Sequence, residues 1–133
     1  MTKSQEKSKM HIINLKDIKP IALAGGQWWD LVIPSITSNE HIAVCLAKYE
    51  PDIWLYKHYH NVEECYFLLQ GELLVELDGE TKKVPEKSVV YIPSGVRHRF
   101  KCCSSSPATI LCMIADKDWI YDGPNANSFK LKD

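Results

Sequence analysis

The sequence has little that would assign it to a membrane, to nucleic acid or to export. No apolar run approaches the roughly 18–20 residues that a membrane-spanning helix needs. No excess of one charge is present: 16 Lys and Arg stand against 17 Asp and Glu, for a net charge of −1. Only Arg97 and Arg99 supply guanidinium groups, the forks favoured for reading phosphates and bases. An integral membrane protein and a dedicated nucleic-acid binder are thereby set aside. The opening MTKSQEKSKMHIINL lacks the apolar segment of a secretory signal. Cysteine is present five times (Cys45, Cys65, Cys102, Cys103, Cys112) but in no Cys-x-x-Cys pair. These are expected to be reduced thiols of a cytoplasmic protein rather than a disulfide framework or a zinc ribbon. No internal repeat, long linker or sustained helical periodicity divides the chain, so one domain is expected.

What is present is a succession of short apolar runs in a chain of 133 residues with 45% hydrophobic side chains, enough to bury one core. Residues 42–49 end at the turn cluster Glu50-Pro51-Asp52, and residues 53–60 alternate. Residues 65–69 stop at Gly71. Residues 73–77 and 80–84 flank Asp78-Gly79, a strong two-residue hairpin signal. Residues 89–92 precede Pro93-Ser94-Gly95, residues 101–107 read as a loop, and residues 108–115 form a last apolar strand. Turn signals every 8–12 residues predict an all-β sandwich or barrel. The polar first residues predict a flexible tail over 1–12, ahead of a barrel over 13–121. The turn Asp122-Gly123-Pro124-Asn125 opens a weakly patterned C-terminal tail over 122–133.

Two clusters carry the chemistry. In His58-Tyr59-His60-Asn61-Val62-Glu63-Glu64, residues i and i+2 of a strand share a face, so His58 and His60 project to one side. A tight connection lets Glu64 return a carboxylate toward them. Pro93-Ser94-Gly95-Val96-Arg97-His98 is a turn that delivers one more imidazole. Three neutral imidazoles and a carboxylate suit one divalent transition metal (Fe, Mn, Ni, Cu or Zn) with open positions for water or substrate. His11 and His41 stand apart and are expected at the surface.

These spacings resemble the cupin family. Its first motif reads His-x-His, three or four residues, Glu, six residues, Gly, and here is His58-x-His60-x3-Glu64-x6-Gly71. Its second reads Pro-x-Gly, two residues, His, and here is Pro93-x-Gly95-x2-His98. Three positions depart from the pattern: Asp52 and Lys87 stand where the motifs open with Gly, and Cys102 replaces a closing Asn. The resemblance implies a single-domain double-stranded β-helix (a jelly-roll barrel), a mononuclear metal on His58, His60, Glu64 and His98, and a homodimer. It also implies a small-molecule substrate, while composition leaves no nucleic-acid or membrane partner expected.

Strand alternation then places Trp54 and Tyr56 inward with His58, Tyr66 and Leu68 with Glu64, and Phe100 and Cys102 with His98. Trp54, Tyr56, Phe100 and Cys102 are expected to line the pocket, with Cys102 as a candidate fifth ligand. Arg97 and Arg99 point outward, Cys65 packs behind the sheet, and Trp28-Trp29 serve as core or dimer contact. Tyr66 is the candidate acid or base, and Tyr121 a second catalytic candidate at the barrel mouth. Two enzyme readings compete: an Fe(II) dioxygenase, and a lyase or isomerase using Tyr66. The arrangement His58-Tyr59-His60…Glu64-Cys65-Tyr66 resembles the cupin-type dimethylsulfoniopropionate lyases. The alternative is a non-catalytic module that binds a small ligand or a metal.

Overall fold

Burial alternates residue by residue along the central strands, which is what a strand does when one face meets a core. The computed structural model describes residues 9–23, 25–55, 57–117, 119 and 130–131. Within these residues the strands are β1 (Ile21–Leu23), β2 (Gly26–Val32), β3 (Ala43–Tyr49), β4 (His58–Tyr59), β5 (Glu64–Gln70), β6 (Leu73–Leu77), β7 (Glu80–Val84), β8 (Val89–Ile92), β9 (His98–Cys102), β10 (Ala108–Ile114) and β11 (Lys130–Leu131). A four-residue helix, α1 (Pro34–Thr37), follows β2. The strands form two sheets in the orders β1-β2-β3-β10-β5-β8 and β11-β4-β9-β6-β7, each made of antiparallel pairs. This is the all-β architecture that the turn spacing predicts and the jelly-roll that the family resemblance implies.

The core lies between the sheets. Ala47, Leu68, Leu73, Ile92 and Ile110 are fully buried there, each large aliphatic side chain contributing about 1.5–3 kcal/mol. One inward-facing row crosses the larger sheet through Asp30, Cys45, Cys112, Tyr66 and Val90, partner to partner. Asp30 is buried and accepts a 2.7 Å hydrogen bond from Trp28 Nε1. The five cysteines are free. Cys45 and Cys112 lie opposite each other and hydrogen-bond, and burial pushes the Cys45 thiol well above its ordinary value.

Several turns depart from the simplest reading of their residues. Asp78 and Gly79 both have positive φ (47° and 85°), the conformation that closes β6 onto β7 as a two-residue hairpin. Asp52 (φ 64°) and Lys87 (φ 68°) are also left-handed. At these two positions the family motifs carry Gly, so here an Asp and a Lys bear the strain that glycine would relieve.

Two sequence expectations are corrected. Residues 53–55 and 57 lie in no strand: Pro51 bridges Cys102, Leu55 N–H donates to the Phe100 carbonyl, and among the described residues strand pairing begins only at His58. The polar stretch 101–107 is not all loop, because β9 runs on through Cys102 opposite Leu73.

Candidate metal centre

His58 lies on β4 directly opposite His98 on β9, with ring centroids 4.3 Å apart. His60 leaves the end of β4, 5.1 Å from the His98 ring. Glu64 opens β5 and comes from the other sheet. All three histidines and Glu64 are buried. One nitrogen from each of His58, His60 and His98 lies within 4.8 Å of the others, a spread from which the rings would draw in slightly to share one ion at metal–nitrogen bonds of about 2.0–2.1 Å. Glu64 Oε1 stands 3.1 Å from His60 Nε2 and 3.3 Å from His98 Nε2.

The backs of the rings fix their chemistry. His60 Nδ1 lies 3.0 Å from the Val62 carbonyl, and His98 Nδ1 lies 2.8 Å from the Val96 carbonyl. A carbonyl only accepts, so in each ring Nδ1 carries the hydrogen and donates it. In the neutral imidazoles Nε2 is then an acceptor, and both acceptors face the acceptor oxygen of Glu64. Three lone pairs converging in a buried space call for a cation. A proton meets the need in part. Burial works against charge on both partners, yet the Glu64 hydrogen bond raises His60, and the hydrogen bonds with His60 and His98 hold Glu64 down at about 2. A divalent ion meets it fully, because neutral imidazoles and a carboxylate are the donors such ions take. The donor set therefore fits a metal.

The cavity beside these groups is lined by His58, Glu64, His98, Trp28, Tyr49, Leu55, Phe100, Cys112 and Trp119, and holds about 20 Å³ of free space, room for one or two waters. Phe100 thus lines it as alternation predicts. Trp54 does not: its ring lies under the Arg99 guanidinium (4.1 Å) and beside Lys101 Nζ (5.1 Å), on the outer face. With no strand at 53–55 the period of two fails, and Leu55 takes the inward place. Cys102 is buried but sits four residues along β9 from His98, its Sγ 3.2 Å from the Ser106 carbonyl and from Ser104 Oγ. It lines no part of the cavity and is too far along the strand to be a fifth ligand. Arg99 points outward as expected, 3.2 Å from Glu76 Oε1, and Arg97 lines a shallow polar surface pocket with Lys57, Glu76 and Asp78. Tyr56 and Tyr121 lie outside the described residues.

Tyr66 is buried next to this cavity, its ring 5.2 Å from that of Phe100. Its Oη has no hydrogen-bond partner among the described residues, and burial pushes the phenol well above its ordinary range, with the Glu64 charge adding to the effect. Sequence reasoning missed Tyr49, Leu55, Cys112 and Trp119 as cavity residues. Tyr49 and Cys112 carried a signal in the inward alternation of β3 and β10. Trp119 carried none: it reaches back after β10 to place its ring 5.6 Å from His60.

Comparison with known proteins agrees with this architecture. The family model for the cupin domain matches residues 45–114. A polyketide synthase protein, CurC of Streptomyces cyaneus, is 31% identical over 97 residues, which are 72% of this chain and 63% of that protein. An uncharacterized protein of Methanocaldococcus jannaschii is 38% identical over 98 residues, 71% of this chain and 78% of its own. An oxalate decarboxylase variant from Bacillus subtilis superposes with a TM-score of 0.75 at 20% identity, over 92% of this chain and 34% of that one. The chain therefore spans under two thirds of CurC and about a third of the decarboxylase.

Proposed function

The chain belongs to the cupin domain family, and from that premise we propose that it is an enzyme acting on a small organic molecule at one divalent transition metal held by His58, His60, His98 and Glu64. The observation that carries this reading is the convergence of the His60 and His98 Nε2 lone pairs on the Glu64 oxygen in a buried cavity. When bound, the metal supplies Lewis acidity toward a carboxylate, enolate or hydroxyl of the substrate. The Val62 and Val96 carbonyls orient the two rings, the role that outer partners play at metal sites generally. Trp119, Leu55 and Phe100 restrict water.

The buried Tyr66 Oη, without a partner among the described residues, favours a proton transfer, and so a lyase or isomerase, with Tyr66 giving or taking the proton. Tyr121 is proposed as a second group at the barrel mouth. The dioxygenase and the non-catalytic binder are the alternatives that experiment separates. The free thiols support a reducing, cytoplasmic setting. The outer face of the larger sheet, with Trp29, Leu46, Phe67 and Leu111 half-buried and Tyr91 and Met113 exposed, supports a homodimer through that face.

The test is the metal content of protein purified without chelator, read with oxygen uptake and product analysis on a panel of small acids. Near-stoichiometric metal in the wild type and at least a tenfold weaker hold in His98→Ala are expected. Equal metal in the variant would sink the site assignment. Metal with substrate-dependent oxygen uptake would move the reaction to a dioxygenase, and metal with neither uptake nor product would leave a binder.

A further inference from the structure

The metal cavity has space for a water or two, so an organic molecule held at the metal has to place most of its atoms elsewhere. A larger cavity, about 420 Å³, opens between β7 and β8, the last strands of the two sheets. Val75, Leu77, Val90 and Ile92 line it, and Lys82 and Lys83 stand at its rim. The two cavities are adjoining rooms. Glu64 pairs across the ladder with Ile92, His98 with Leu77 and Phe100 with Val75. In each pair the first residue lines the metal cavity and the second lines the groove, one strand spacing or about 4.8 Å away. Tyr66 lines neither, but its ladder neighbours line one each, Cys112 the metal cavity and Val90 the groove, and its Oη has no partner among the described residues.

We infer that the groove between β7 and β8 is the outer chamber of the metal centre, and that the substrate is amphipathic, with a metal-binding polar head and an apolar body seated in the groove. The volume lies in the range of small-molecule sites, whereas the inner cavity alone suits only a one- or two-carbon ligand. The rim favours an apolar body over a second anionic group, because Lys82 already faces Glu80 (3.3 Å) and Lys83 faces Glu72 (3.7 Å). Tyr66, on the strand whose neighbours line both spaces, lies beside the passage from head to body.

This inference rests on the metal-centre reading, and its test distinguishes the two. Acetate, butyrate, hexanoate and octanoate are titrated calorimetrically into the metal-reconstituted full chain, with metal content measured on the same samples. Affinity is expected to rise about fourfold per added methylene until the groove is full. Val90→Trp and, on the tolerant last strand of its sheet, Val84→Trp are each expected to flatten the series while metal content stays at the wild-type level. A flat series in metal-loaded wild type overturns the outer chamber and leaves the metal centre standing. A series equally steep in both variants also overturns it, because the chains then bind elsewhere. A chain that takes up no metal overturns the metal centre and this inference with it.

Discussion

An imidazole whose Nδ1 is tied to a carbonyl has one nitrogen left to offer, and His60 and His98 both stand in that state. That makes the candidate metal centre a matter of four side chains and two backbone carbonyls, and it explains why so much of it could be read from spacing. His58 and His60 share a strand face, Glu64 follows after a tight connection, and each donor is fixed by local backbone. Trp119 was illegible because its position depends on a return of the chain that no local pattern encodes. Tyr66 was placed by alternation, but its unpartnered hydroxyl could not be, since partners come from other strands. Tyr66→Phe removes that buried hydroxyl and should stabilise the protein by about 1 kcal/mol, seen as a higher urea midpoint. If Tyr66 moves the proton, the same variant loses turnover and keeps its metal; turnover at the wild-type rate would make it a packing residue.

Strands were legible wherever both neighbours in the sheet impose alternation, as along β3, β5 and β10. The failure came at residues 53–55, where one bridge at Pro51 and one backbone bond at Leu55 replace a ladder, so inward and outward places no longer alternate. Turns hold a related lesson. Lys87 has a left-handed backbone, costing about 1–2 kcal/mol in a residue with a Cβ, while its amide donates to the Leu68 carbonyl at 2.8 Å. Lys87→Gly should therefore raise stability by about 0.5–1 kcal/mol after the unfolded-state entropy of glycine is subtracted, and a lower thermal midpoint would contradict this. Gly26 makes the opposite case. A Cβ there would lie 2.1 Å from the Lys48 carbonyl oxygen, so Gly26→Ala should push β2 off β3 and cost roughly 3 kcal/mol, measured by chemical denaturation.

Taken whole, the molecule is two sheets that keep their polar chemistry inside and turn a wide apolar face outward. Sedimentation equilibrium should give twice the 15.2 kDa chain mass, and Leu111→Glu, which puts a charge at the centre of that face, should return it to the monomer mass; a monomeric wild type would remove the proposed pairing. The sheet order has one more consequence, for the timing of synthesis. The four donors span residues 58 to 98, yet the larger sheet is held together by β10, which pairs with both β3 and β5 and comes later in the chain. A chain emerging from the ribosome in sequence order thus presents a complete set of ligands before the wall that shelters them exists. The sheltered setting that suits these donors to an ion is therefore complete only once residues 108–114 have paired on both sides.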